Sequence, residues 1–211
     1  MLIKTLALGP LETNCYIVTD EKTLSCAVID PGGDASILLD YLESNRLTVR
    51  FVLLTHAHFD HTGAVFQLLE ETDAVLCMHK GDDGTPIGSN KFDVYNAPEG
   101  TQFFKEGDVI SVDALSFSVL ETPGHTPGSV CLLCTESGSE DRALFSGDTL
   151  FRDSCGRTDF DMGSTEDMLR SLKRLAELPG NCEVYPGHGF STTLDRERSV
   201  NYFMNAALRQ G

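Results

Sequence analysis

Val49-Arg50-Phe51-Val52-Leu53-Leu54-Thr55-His56-Ala57-His58-Phe59-Asp60-His61-Thr62-Gly63 joins two patterns that belong to different kinds of structure. Residues 49–55 are a β-branched and aliphatic run that predicts a buried strand, while Gly63-Ala64-Val65-Phe66-Gln67-Leu68-Leu69-Glu70 predicts the start of an amphipathic helix. Between them stands H-x-H-x-D-H. Random draws at this chain's His and Asp content would give that pattern in roughly four chains in ten thousand, so composition does not explain it. The polar side chains lie on a strand-to-helix loop, where they can converge while the strand stays in the core.

Working outward, short strands are expected at 2–8, 14–19 and 24–30, closed by the turn Asp30-Pro31-Gly32-Gly33-Asp34. Asp34 reads as the N-cap of a helix over 35–45, in which Ile37, Leu38, Tyr41 and Leu42 recur at helical spacing. Ala74-Val75-Leu76-Cys77-Met78-His79 predicts another strand, and residues 80–100, rich in turn formers, a long surface loop that borders the site. Further strands are expected at about 108–112, 115–121, 129–135, 142–146 and 182–185. A helix starts at Ser164, where Ser164-x-x-Asp167 approximates a capping box, and runs to Leu178-Pro179-Gly180; a last helix covers roughly 195–208. Many short strands with helices inserted singly point to two sheets carrying helices on their outer faces, in a single domain over residues 1–211.

The formal charge is −16, from 16 Lys plus Arg against 32 Asp plus Glu, which makes nucleic acid a poor partner. The first residues lack the apolar run of a signal peptide, and no segment approaches ~18 uncharged apolar residues; a cytoplasmic location without membrane contact is expected. Seven irregularly spaced cysteines argue against a disulfide framework, and Cys131-Leu132-Leu133-Cys134 reads as buried cysteine in a strand rather than half a zinc knuckle.

Two more histidines follow strand ends, in Gly124-His125 and Gly187-His188, and Asp148 follows a third strand in Ser146-Gly147-Asp148. Together with His56, His58, Asp60 and His61 this makes seven imidazole and carboxylate ligands, more than one tetrahedral ion needs. Nitrogen and oxygen donors without thiolate suit two divalent ions, Zn²⁺ first and Fe or Mn next. Two ions roughly 3.5–4 Å apart can supply hydroxide at neutral pH and stabilise an oxyanion, so hydrolysis is the expected chemistry. His79 has no motif around it and reads as a structural histidine.

Thr55-His56-x-His58-x-Asp60-His61, Pro123-Gly124-His125-Thr126-Pro127-Gly128, Ser146-Gly147-Asp148-Thr149-Leu150-Phe151 and Pro186-Gly187-His188-Gly189, in that order, resemble the metallo-β-lactamase superfamily. Asn14-Cys15-Tyr16 and Asp30-Pro31-Gly32 bring the chain nearest to the glyoxalase II group, the hydroxyacylglutathione hydrolases. The resemblance implies an α+β fold, a four-layer αβ/βα sandwich with the site at one edge of the paired sheets. It implies one ion at His56, His58 and His125, the other at Asp60, His61 and His188, with Asp148 bridging and Asp60 and Asp148 as the catalytic carboxylates. The substrate it implies is a small-molecule thioester, such as the glutathione conjugate S-lactoylglutathione. A thiolate leaves with a pKa near 8.5 and needs no dedicated proton donor, and no separate general acid is evident.

The chain also departs from that group. The longer members of that group carry a helical C-terminal extension, whereas the 23 residues that follow His188 are expected to form one helix. Arg157 matches the basic residue that the family places near the glutathione glycyl carboxylate, but Asp159 replaces a tyrosine and is expected to repel a carboxylate. The run Cys155-Gly156-Arg157-Thr158-Asp159-Phe160 equally resembles the persulfide dioxygenases of the superfamily, in which His56, His125 and Asp148 would hold a single iron. A lactonase and a non-enzymatic metal-binding module are the other readings.

Overall fold

The computed structural model describes residues 1–86 and 94–209. Two six-stranded sheets form its centre. The first holds β1 (Leu2–Leu8), β2 (Thr13–Thr19), β3 (Ser25–Ile29), β4 (Thr48–Leu53), β5 (Val75–His79) and β6 (Gln102–Phe104) in sequence order. The second holds β7 (Val109–Val112), β8 (Leu115–Glu121), β9 (Val130–Glu136), β10 (Arg142–Gly147), β13 (Glu183–Pro186) and β14 (Thr192–Thr193), ordered β14-β13-β10-β9-β8-β7. Between β10 and β13 a small hairpin pairs β11 (Leu150–Phe151) with β12 (Ser154–Cys155). The helices are α1 (Ala35–Ser44), α2 (Phe59–Thr62), α3 (Val65–Glu71), α4 (Thr165–Ala176), α5 (Leu194–Val200) and α6 (Tyr202–Arg209).

Side-chain alternation along the strands sorts the core into three layers. Cys15 and Ile17 of β2 face α1 and α3, joining Leu38, Leu42, Val65 and Leu68. Their neighbours Tyr16 and Val18 face the second sheet and meet Phe117, Leu132 and Phe145. On the far side Cys131, Leu144 and Val184 pack against Met168, Leu172 and Leu175 of α4 and Met204 of α6. Each sheet is buried on both faces, which requires helices outside both, and the expected αβ/βα sandwich results. Cys131 and Cys134 fall in different layers, so they cannot chelate together, and all seven cysteines are free. Among the described residues no helix is long and apolar enough to cross a membrane.

The sequence-based elements agree with these to within a few residues, with informative exceptions. Asp34 stands before α1 in a left-handed conformation (φ 46°) and makes no side-chain cap; its carboxylate accepts from the Gly9 amide at 2.8 Å instead. The helix expected from Gly63 is α3, and the ligand loop before it contains a further short helix, α2, which carries Asp60 and His61. The expected 80–100 loop opens with a single 3₁₀ turn at Lys80–Asp82, and residues 87–93 lie outside the described residues. Strands β6, β11, β12 and β14 are two or three residues long, too short to leave a periodic signal.

The last helix is broken at Asn201, whose backbone is extended (φ −69°, ψ 117°). Its side-chain oxygen accepts from the amides of Phe203 and Met204, capping α6, while its amide group donates to the Phe151 and Ser154 carbonyls and to Glu197. Asn201 and Glu197 are fully buried, and Glu197 also accepts from the Asp153 amide and the Thr192 hydroxyl. Asn201→Ala would leave several of these groups unpaired and should cost about 2–4 kcal/mol of stability. Urea unfolding of the two proteins checks this; a loss below 1 kcal/mol would mean that water or a neighbour replaces the amide.

Candidate metal centre

Four loops at the carboxyl ends of β4, β8, β10 and β13 bring the seven expected residues together at one edge of the sandwich. Thr55, just past β4, sets the first. Its amide and hydroxyl donate to Asp30 at 2.8 and 2.6 Å, and its carbonyl accepts from Val130 of the opposite sheet at 2.8 Å. Close approach then demands glycine: a Cβ on Gly32 would stand 1.9 Å from the Asp60 carbonyl oxygen, and one on Gly147 (φ 47°) 2.3 Å from the Thr55 hydroxyl. A register shift between β10 and β13 at Phe145/Gly147 carries Asp148 out of the sheet.

The ligand atoms form three overlapping trios, His56–His58–His125, His56–His61–Asp148 and Asp60–His61–His188, each within 4.8 Å of one another. His58 Nδ1 lies 2.9 Å from His125 Nε2, and His188 Nε2 3.1 Å from an Asp60 oxygen. Asp148 sits between the groups, 3.5 Å from both His61 and His125 and 3.7 Å from His188.

Outer partners decide which nitrogen faces inward. The Thr55 hydroxyl gives its proton to Asp30, so its lone pair accepts from His56 Nδ1 at 3.2 Å; the His56 Nε2 lone pair then points into the site. His61 Nδ1 is held by Asp30 at 2.9 Å, and His125 donates from Nδ1 to the Arg157 carbonyl at 2.8 Å. His56 Nε2, His61 Nε2 and Asp148 Oδ1 are buried with no hydrogen-bond partner. Buried polar atoms that converge without hydrogen-bond partners are satisfied by a bound cation, and these nitrogen and oxygen ligands fit borderline divalent ions.

Charge divides the imidazoles into two kinds. Burial, aided by His125 and His61, pushes His58 down to about 3, and burial likewise holds His56 well below its usual range. Burial also pulls on His61, but Asp30, Asp148 and Asp60 outweigh it and raise it to about 9. The hydrogen bond that His188 donates to Asp60 raises the histidine, and the Asp60 carboxyl lies well below its usual range because His188 and His61 overcome the opposing effect of burial.

Several residues of the site carried no sequence signal of their role. Asp30 orients both Thr55 and His61, and the Thr13 hydroxyl donates to Asp60 at 3.1 Å. The Asn14 amide group donates to the Pro186 and Gly189 carbonyls, and Tyr16 OH to Pro186, fixing the loop of His188. Asp30, Asn14 and Tyr16 stand in the segments that mark the family resemblance, and that was their only signal. Arg157 lies beside the site, but its guanidinium is forked onto Asp159 at 2.6 and 2.7 Å and stacked 4.2 Å from the Phe160 ring. Asp159 thus occupies the cation directly. His79 lies outside the trios, accepting from the Gly81 amide and facing Glu121 at 3.2 Å.

His61 supplies a pH test on metal-free protein. Its folded value of about 9 exceeds its ordinary 6.5, so its stabilising effect is complete below pH 6.5 and lost as pH rises through about 9. The urea midpoint of chelator-treated protein should therefore fall between pH 6.5 and 9, and Asp30→Asn should flatten that fall. Divalent-metal affinity should rise over the same interval as fewer protons compete. A midpoint that is flat or rising in the unsubstituted protein would contradict the charge state assigned to His61.

Comparison with known proteins agrees with this geometry. The family model described as "Metallo-beta-lactamase superfamily" matches residues 8–188. A hydroxyacylglutathione hydrolase, GloC, from Haemophilus influenzae is 32% identical over 98% of this chain and 99% of its own length. Among solved structures, the BLEG-1 B3 metallo-β-lactamase superposes with a TM-score of 0.85 at 33% identity, covering 96% of this chain and 99% of its own. ETHE1 from Myxococcus xanthus does so with a TM-score of 0.81 at 28% identity, covering 100% and 92%. Histidine and aspartate loops at four strand ends, an αβ/βα core and a match over most of the length place the chain in the metallo-β-lactamase superfamily of metal-dependent hydrolases.

Proposed function

We propose that the chain, acting as one domain, is a thioester hydrolase of the hydroxyacylglutathione hydrolase type that holds two divalent ions, zinc foremost. One ion is assigned to His56, His58 and His125, the other to Asp60, His61 and His188, with Asp148 shared between them. The observation that carries the reading is the trio of buried, unpartnered polar atoms, His56 Nε2, His61 Nε2 and Asp148 Oδ1, at the meeting point of three ligand groups. The name of the Haemophilus relative supports the thioester substrate.

Divalent ions bound there supply Lewis acidity that brings the pKa of water to about 7 and stabilises negative charge on a carbonyl oxygen. The protein's own groups do the rest. Asp60, held by Thr13 and His188, and Asp148, with one oxygen towards His61 and the other towards His125, place carboxylates where a water can be oriented and its proton held. Phe160 contacts the His58 and His125 rings edge-on at 5.3 and 5.7 Å and shields that side from solvent. Beside His188 a groove of about 590 Å³, lined by Phe151, Arg152, Ser154 and Phe190 among others, offers room for the thiol carrier. A thiolate, with a pKa of about 8.5, departs without a dedicated proton donor.

Metal analysis and a substrate panel test this. Purified protein should contain about two metal ions and release free thiol from S-lactoylglutathione. Asp148→Ala should lower kcat/KM by roughly a thousandfold or more, about 4 kcal/mol, whereas His79→Ala should leave it within about threefold. One iron per chain with oxygen uptake on glutathione persulfide, or hydrolysis of lactones alone, would overturn the reading. Equal losses from the Asp148 and His79 substitutions would overturn the role given to Asp148.

A further inference from the structure

Asp82 is 1% exposed at the end of the 3₁₀ turn after β5, yet it touches none of the seven ligands directly. Its oxygens are divided between two loops. One accepts from the Ala57 amide at 3.0 Å, between His56 and His58, and from the Thr126 hydroxyl at 2.8 Å; the other accepts from the Gly128 amide at 2.7 Å. Ala57 follows a strand of the first sheet, and Thr126 and Gly128 follow β8 of the second, next to His125. The fit leaves no slack: a Cβ on Gly128 would stand 2.5 Å from the Asp82 carboxylate, and one on Gly81 would stand 3.1 Å from the Gly128 backbone.

We propose that Asp82 is a positioning residue whose carboxylate sets the separation of the His58 and His125 loops, and with it the affinity of the His56–His58–His125 trio for a divalent ion. The inference rests on the ligand assignment above. Two of the donors are main-chain amides on opposite oxygens, so only a group with two acceptor faces satisfies both. His58 Nδ1 and His125 Nε2, 2.9 Å apart, belong to the two loops that Asp82 ties together. A buried carboxylate braced by neutral donors alone is costly to place and holds both loops firmly once placed. A metal site is sensitive to such bracing because a small displacement of one ligand removes it from coordination distance.

Asp82→Asn preserves shape but turns an amide N–H towards one of the two main-chain amides, so one loop must come free. Thr126→Val removes a single donor at nearly constant volume. Metal-free protein is titrated with Co²⁺, followed by visible absorption and by competition with a chelator. Asp82→Asn should hold one of its two Co²⁺ ions at least about tenfold more weakly and with an altered visible spectrum, leaving the other ion unchanged; Thr126→Val should weaken the same ion by a few-fold. Wild-type affinity and spectrum for both ions in Asp82→Asn, even with a lowered urea midpoint, would reduce Asp82 to a purely structural residue and overturn the proposal. Should Asp82→Asn fail to fold, unchanged Co²⁺ affinity in Thr126→Val has the same force. Wild-type protein that holds Co²⁺ but cleaves no thioester would end the hydrolase reading and leave the role of Asp82 standing.

Discussion

The Asp30 carboxylate ties the end of β4 to the imidazole of His61, and much of the site follows from that connection. It takes three donors, the Thr55 amide, the Thr55 hydroxyl and His61 Nδ1, while itself 2% exposed. Hydrogen bonds to a buried charge contribute about 1.5–3 kcal/mol each, and losing the acceptor would strand all three donors. Because the Thr55 proton is spent on Asp30, the Thr55 oxygen is free to orient His56, so one carboxylate settles the inward nitrogens of two ligands. Asp30 needs a left-handed backbone (φ 49°) to reach them, and Pro31-Gly32 then lets the chain pass against α2 at a separation that no side chain permits.

Stability and function are divided along the strands. In the middle of each sheet, alternation places apolar groups in three layers, and nothing polar is required. At the carboxyl ends the same strands release chain into loops whose main-chain groups pair across the sheets, as Val130 does with Thr55 and Asn14 with Gly187. The ligands can therefore be poorly satisfied among themselves. The three unpartnered polar atoms are a local cost carried by a core that owes them nothing, and a bound cation would remove that cost.

What was legible in the sequence followed from the same division. Strands with aliphatic runs and the ligand motifs after them could be read because their signals are local: a period of two, and histidines and aspartates beside glycine. Asp82 could not, because it stands in Gly81-Asp82-Asp83-Gly84, where Asp reads as a turn former and its partners Ala57 and Gly128 lie 25 and 46 positions away. Asn201 looked like the interior of a continuous helix for a related reason. Only the β11–β12 hairpin, itself too short to register, supplies the carbonyls that make a break there favourable. Asp34 shows the reverse case, a good local cap signal defeated by a tertiary partner, the Gly9 amide.

The unevenness between metal and substrate has a physical source. The ligands are buried, and their partners are fixed by packing and main-chain bonds, so residue type and spacing constrain the chemistry strongly. The groups that could recognise a thiol carrier are exposed: Arg157 and Asp159 keep 60 and 68% of their side-chain surface in water. Pairs in that setting are weak, screened by solvent and rearrange readily, so the fork between them opens easily when a ligand competes. Residue type and spacing therefore constrain recognition far less than they constrain the metal ligands.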